Sequence, residues 1–292
     1  GRELVRQLNL NPLQKTVVFT HKTLAGPDLE NAITLNLGLQ ELGADVFKRF
    51  PPSRIFHLAR FGAPFPWLRK LSAQKGANAN SRLINLIKQS GLKLELNYVS
   101  GSLMYGEQMS PANEETKLNP IGFGKAYING EMPFLNMQKV QNGNVHFYRP
   151  GWILGPSSWF KEFFWKPYLE NGIVPYYGDG SQKMSIISLQ DCAGLILHGA
   201  KSLEINQDLN PCLHESISQK EFAEKVAKQL NSEAKGISKS EMAKTMDYQT
   251  IEALLTSINL STKHTDIINS YLPRFTNLES ILEKTINELK EQ

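Results

Sequence analysis

Arg149-Pro150-Gly151-Trp152-Ile153-Leu154, closed by Gly155-Pro156, is the stretch on which the reading of the fold turns. An apolar run from Val145 to Tyr148 precedes it and predicts a strand, so the chain leaves a sheet edge and turns at once through Pro-Gly. Tight turns on either side of an indole bring backbone close to a flat ligand. The competing reading is an ordinary corner between strand and loop.

Around this corner, strand and helix signals alternate. Thr16 to Thr20 is β-branched, and Arg54 to Leu58 and Leu94 to Val99 are short apolar runs. Between the last two, Leu83, Ile84, Leu86 and Ile87 lie on one side of a helix and Arg82, Asn85 and Lys88 on the other. Further helices are expected over Ile121 to Gln138 and Ser157 to Leu169. This alternation predicts a parallel sheet covered on both faces. From Ser218 onward the spacing of Phe222, Val226 and Leu230, then Ile251 and Leu254, then Ile281, Leu282, Ile286 and Leu289 is helical.

The aromatics of Trp159-Phe160-Lys161-Glu162-Phe163-Phe164-Trp165 form one helix face. That face packs on the core, or else walls a pocket or a dimer contact. Tyr177-Gly178-Asp179-Gly180 predicts a hairpin-like turn, and Asp191 a cap for a helix starting near Cys192.

Composition narrows the class. With 292 residues, 41% hydrophobic and 21% charged, the chain suits one large α/β unit with a smaller lobe. The net charge of +4 is spread among acids rather than clustered, so no nucleic acid is expected as partner. Two cysteines, Cys192 and Cys212, and six dispersed histidines lack metal-ligand spacing. Few cysteines fit a reducing cytoplasm. No apolar run reaches the roughly 18 residues of a membrane span, and no signal-peptide core stands at the start.

Further segments stand in order about the opening motif. Upstream are Arg54-Ile55-Phe56-His57-Leu58-Ala59, then Asn97-Tyr98-Val99-Ser100-Gly101-Ser102-Leu103-Met104-Tyr105-Gly106, then Asn119-Pro120-Ile121-Gly122-Phe123-Gly124-Lys125. Downstream are Tyr177-Gly178-Asp179-Gly180-Ser181-Gln182 and Ser188-Leu189-Gln190-Asp191-Cys192-Ala193. The series resembles the extended short-chain dehydrogenase/reductase superfamily, in its NAD-dependent epimerase/dehydratase group, over most of residues 1–205. The resemblance implies a Rossmann-type doubly wound parallel sheet with a smaller, mainly helical C-terminal substrate lobe. The expected dinucleotide-binding domain is 1–155, with 183–207 returning to it, and the substrate lobe is 156–182 and 208–292.

By the same resemblance, Gly1 is the third glycine of a G-x-x-G-x-x-G loop that cradles pyrophosphate at a helix N-terminus. The strand and glycines before it are expected to precede Gly1 in the native protein, since removing a central strand exposes two unpaired edges. His21 and Lys22 sit where such folds read the adenosine ribose, and cations there point to NADP rather than NAD. Leu58, Ala59 and Arg60 form the strand-end contact to the cofactor. Arg60 replaces a usually small residue and reaches a phosphate or faces water. Arg149, Pro150, Gly151 and Trp152 complete the implied cofactor surface.

The catalytic centre departs from the pattern. Relatives carry Tyr-x-x-x-Lys on one helical face, the lysine bonding the nicotinamide ribose and the phenol exchanging a proton with substrate. Here Lys125 is present, but Ile121 stands in the tyrosine position, and Gly101, flanked by Ser100 and Ser102, replaces the strand-end hydroxyl. Ser100 and Ser102 remain candidates for that hydroxyl, and Ser100 for a bond to the nicotinamide amide; the alternative for Ser100 is to close its own strand. Tyr105 and Tyr127 are candidate substitute phenols. Lys125 is a ribose ligand or a surface lysine.

Two functions are therefore carried forward. One is an NAD(P)-dependent oxidoreductase, epimerase or dehydratase-like enzyme with a degenerate acid/base centre, acting on a small hydroxyl or carbonyl compound such as a nucleotide-sugar. The other is a non-catalytic binding or scaffold subunit that keeps the fold. A homodimer is expected by resemblance alone.

Overall fold

A computed structural model describes residues 1–20, 29–63, 65–108, 110–140 and 143–292. The chain forms two compact units, Gly1–Ser100 with Ala126–Tyr148 and Ile196–Asp208, and Gly101–Lys125 with Arg149–Leu195 and Leu209–Gln292.

The first unit runs α1 (Arg2–Leu8), β1 (Thr16–Phe19), β2 (Ala32–Leu35), α2 (Ala44–Arg49), β3 (Arg54–His57), α3 (Arg69–Ser90), β4 (Glu95–Val99), the greater part of α4 (Phe123–Gln138) and β5 (Val145–Tyr148). Among the described residues its strands form two hydrogen-bonded sheets. β1 pairs with β2, and β4 lies between β3 and β5; every pairing is parallel. Parallel neighbours need long crossovers, and α3 and α4 supply them. Leu83, Ile84, Leu86 and Ile87 of α3 are buried against Leu96, Tyr98, Val145, Phe147 and Phe134, while Arg82, Asn85 and Lys88 are exposed, as the helical spacing predicts. Gly91, at φ 65°, ends α3 in the left-handed region open to glycine.

The opposite sheet face is polar. Tyr148 Oη donates to Asn97 Oδ1 at 2.8 Å, Asn97 Nδ2 to Glu95 Oε1 at 2.7 Å, and Arg54 pairs with Glu95 at 2.8 Å. Asn97 is fully buried, so these bonds replace the water that it loses on folding.

The second unit contains β6 (Trp152–Leu154), α5 (Lys166–Asn171), β7 (Ile173–Tyr177), β8 (Lys183–Met184), β9 (Ile186–Ser188), the start of α6 (Leu189–Ser202), β10 (Ile217–Ser218), α7 (Gln219–Gln229), β11 (Glu233–Ile237), α8 (Lys239–Thr245), α9 (Tyr248–Leu255), α10 (Thr265–Ser270) and α11 (Leu278–Lys290). Among the described residues, three strand pairs tie it together: β6 with β9 and β7 with β11 in parallel, and β8 with β10 antiparallel. The short, polar β11 gave no strand signal in a region that reads as helical.

The aromatic stretch is core. Phe160 and Phe164 are fully buried, and Phe164 meets the Phe222 ring edge-on at 5.0 Å. Lys161–Trp165 is a π-helical turn, which the spacing did not predict. Two local expectations are corrected. Tyr177 to Gly180 turns, but no hairpin results, because β7 pairs with β11 and β8 with β10. Ser188 rather than Asp191 caps α6: its Oγ accepts from the Asp191 N–H at 2.8 Å and donates to the Asp191 carboxylate at 2.7 Å. Asp191 is fully buried and also accepts from the Arg274 N–H at 2.7 Å and from Tyr271 Oη at 3.1 Å.

Candidate functional site

In the first unit the site residues gather at the C-terminal ends of β3 and β4. His57 closes β3 as a buried imidazole between the rings of Tyr98 and Phe134, each 5.2 Å away. Its Nε2 lies 2.9 Å from Asn80 Oδ1, and Asn80 Nδ2 donates to the Gly130 carbonyl at 2.7 Å. An acceptor at Nε2 assigns the proton to that nitrogen, leaving Nδ1 buried without a hydrogen bond. Burial holds the imidazole pKa down at about 4, so His57 is neutral at physiological pH.

Directly after this buried anchor, Leu58, Ala59 and Arg60 are all exposed. The Arg60 guanidinium lies 4.7 Å from the centre of the Tyr127 ring on α4. Both border a shallow, open depression of about 30 Å³ whose walls include Ala59, Ser72, Gly76 and Gly130.

Ser100 follows β4. Its N–H donates to the Tyr148 carbonyl at 2.8 Å, and its hydroxyl bonds the carboxylate of Glu131, which is buried on α4. Glu131 was not singled out by the sequence reading; a glutamate in an amphipathic helix ordinarily faces water. Gly1 is the exposed N-cap of α1. His21 and Lys22 lie outside the described residues.

The second unit holds the remaining candidates. Gly101 is extended, at φ −163°, with open space where a Cβ would stand. Ser102 is buried, and its N–H donates to the Pro150 carbonyl at 3.2 Å. Tyr105 is 1% exposed and its hydroxyl donates to Asn210 Oδ1 at 2.9 Å, which removes it from proton exchange with a ligand.

Ile121 lies before α4, whose first residue is Phe123, and Gly122 between them adopts φ 50°. The expected i, i+4 alignment with Lys125 on one helix is therefore absent, because the left-handed turn at Gly122 offsets Ile121 from the helix. Lys125 is exposed and lies 3.4 Å from Glu252 on α9, which also accepts from the Gly122 N–H at 2.5 Å. Glu252 is a tertiary partner, and no local motif marked it.

The opening motif faces inward. Arg149 is 2% exposed, with its guanidinium 5.8 Å from the Tyr105 ring centre. A Cβ on Gly151 would overlap the Ser185 carbonyl oxygen, so the close backbone approach at this glycine is to β-structure of the same unit. The Trp152 indole meets Trp159 edge-on at 4.8 Å, and its Nε1 is buried without a hydrogen bond. Burial pushes both cysteine thiols up to about 12, which removes them as nucleophiles near neutral pH. Among the described residues no group of three or more His, Cys, Asp or Glu could hold a metal ion, and no helix is long and apolar enough to cross a membrane.

The sequence model of the NAD dependent epimerase/dehydratase family matches residues 1–210. The chain belongs to that family. Among solved structures it is similar to TunA, an NAD-dependent NDP-hexosamine 5,6-dehydratase involved in tunicamycin biosynthesis, with a TM-score of 0.81, 16% identity, and coverage of 99% of this chain and 93% of that one. It is similar also to UDP-N-acetylglucosamine 4-epimerase from Methanobrevibacter ruminantium M1 in complex with UDP-N-acetylmuramic acid, with a TM-score of 0.80, 18% identity, and coverage of 100% and 95%. Human epimerase family protein SDR39U1 (isoform 2), solved with NADPH, matches with a TM-score of 0.76, 16% identity, and coverage of 99% and 96%. At these identities the likeness to an epimerase/dehydratase structure is one of fold. No curated protein matches the chain.

Proposed function

We propose that this epimerase/dehydratase-family chain binds a nicotinamide dinucleotide and has lost the tyrosine-dependent proton transfer of its relatives. The observation that carries the reading is the state of the catalytic positions. Ile121, which has no ionisable proton, stands off α4, and Lys125 is engaged by Glu252. The residues at the strand ends suit the cofactor: Leu58, Ala59 and Arg60 are exposed beside an open depression, and Ala59 leaves room for close approach. Gly1, Ser100 and Lys125 keep the roles that the resemblance implies as parts of this proposal, whereas Arg149, Pro150, Gly151 and Trp152, expected on the cofactor surface, pack inward on their own unit. A bound nicotinamide supplies hydride exchange; the protein's own task is to orient the ligand and exclude water. Residues 1–155 with 183–207 serve the cofactor in this reading, and 156–182 with 208–292 the substrate.

NADP is the preferred cofactor on the basis of His21 and Lys22, and the substrate is a nucleotide-sugar or a similar hydroxyl or carbonyl compound. Neighbours solved with NAD, NADPH or UDP-sugars support a nicotinamide dinucleotide and a nucleotide-sugar, while the choice of NADP rests on His21 and Lys22 alone. A homodimer accords with the resemblance. Titration calorimetry is expected to show tighter binding of NADPH than of NADH; equal affinities remove the NADP preference.

Turnover supplies the decisive comparison. Ile121→Tyr with Gly101→Ser returns a phenol, just before α4, and a hydroxyl to the two altered positions, and the serine is sterically free at the open, extended Gly101. General acid/base catalysis contributes about 10²–10⁴-fold, so the double variant is expected to exceed the wild type in NADPH oxidation with aldehydes, ketones or nucleotide-sugars. Robust wild-type turnover that is lost in Tyr127→Phe overturns the reading. The second reading, a scaffold subunit, gains if the dinucleotide binds and neither protein turns over.

A further inference from the structure

One departure from the family pattern, Arg60 in place of a small residue, acquires a setting in the first unit. Its guanidinium carbon lies 4.7 Å from the Tyr127 ring centre. Among the described residues no carboxylate pairs with Arg60, and the Tyr127 hydroxyl makes no hydrogen bond. A cation on a ring face gains electrostatic attraction, yet that contact does not engage the fork of five N–H donors as an anion would. The always-charged side chain and a free phenol thus share the rim of one depression.

The walls leave this rim accessible. Ala59, Gly76 and Gly130 keep them low, and a Cβ on Gly76 would stand 3.3 Å from the Phe61 ring. Ser72, from α3, adds a hydroxyl to the lining. Arginine, phenol and serine together present several donors and one fixed positive charge. A tetrahedral polyanion accepts from several donors at once, and the guanidinium fork matches two of its oxygens.

We propose that Arg60, Tyr127 and Ser72 form a subsite for a phosphoryl group carried on an organic ligand, with the arginine holding the tyrosine ring in place. The proposal rests on the reading of this chain as a protein that binds dinucleotides or nucleotide-sugars, and gives that site a phosphate contact outside the glycine loop.

Calorimetric titration of the full chain with ADP, inorganic pyrophosphate, adenosine and NADPH tests it, in wild type, Arg60→Ala, Arg60→Lys and Tyr127→Phe. Arg60 is exposed, so Arg60→Ala is expected to keep the wild-type melting temperature, which verifies folding. Loss of a charge-assisted contact is expected to weaken ADP roughly 10- to 100-fold in Arg60→Ala. Arg60→Lys is expected to recover part of that affinity and Tyr127→Phe to lose several-fold, while adenosine is unaffected. Equal ADP binding by wild type and Arg60→Ala, or no binding of ADP at all, overturns the proposal. Pyrophosphate binding as well as ADP with the same Arg60 dependence identifies a free anion as the ligand and overturns the organic carrier. NADPH separates the two readings. Failure of NADPH to bind, with Arg60-dependent ADP binding, removes the dinucleotide and keeps the subsite; NADPH and ADP binding that ignore Arg60→Ala do the reverse.

Discussion

His57 is set by its neighbours rather than by its motif. Between two aromatic rings and bonded only through Nε2, the imidazole loses water that the protonated form needs, and its pKa falls from 6.5 to about 4. In the unfolded chain the ordinary value returns, so between these limits the unfolded state binds the proton first. His57 therefore leaves stability untouched above about pH 6.5 and lowers it as the pH falls toward 4, by about 3 kcal/mol in total. Denaturant midpoints measured from pH 7 to pH 4 are expected to show this loss, with a shallower slope in His57→Gln. An unchanged slope in the variant, or an imidazole NMR titration near 6.5, contradicts the assignment. The residue type at 57 was visible in the sequence; its protonation state was not, because Asn80 and Phe134 reach it from distant helices.

Among the elements, the corner at Arg149 to Gly155 was legible as the point where a strand ends and the chain turns, but β6, which follows at once, and its packing were not. Gly151 lies against Ser185, which precedes β9, and the Trp152 N–H donates to the Ser185 carbonyl at 2.8 Å as the parallel β6–β9 pair begins. Adding one methyl group at position 151 forces that carbonyl aside. Gly151→Ala is expected to destabilise the protein by about 1–3 kcal/mol, whereas Gly101→Ala, extended and facing open space, should stay within about 0.5 kcal/mol. Thermal unfolding of the two variants decides it; equal effects would show that the Ser185 approach costs nothing. The same limit explains the absent hairpin: Asp179 and the glycines promote a turn, while strand pairing depends on the distant β10 and β11.

Across the whole molecule, ligand linkage is the property that separates a dinucleotide-binding chain from one that keeps only the architecture. A ligand that binds the folded state alone at 100 times its Kd adds about 2.7 kcal/mol. Saturating NADPH is expected to raise the melting temperature by several degrees, and NADH by less at the same concentration. No shift with either contradicts cofactor binding, and a larger shift with NADH contradicts the reading of His21 and Lys22.

The amino-acid sequence alone determined the alternation of strands and helices, the buried face of α3, the family pattern from Arg54 to Ala193, and the missing phenol at 121. Each of these is written in local spacing or residue type, which a chain carries before it folds. Tertiary structure decided which groups became partners: Glu252 at Lys125, Glu131 at Ser100, Ser185 at Gly151, Tyr127 under Arg60. Those pairs join positions from 31 to 127 residues apart in the chain. Only the packing of helices and strands brings such groups within a few ångströms, and at that range charge, desolvation and steric fit settle what a side chain can do.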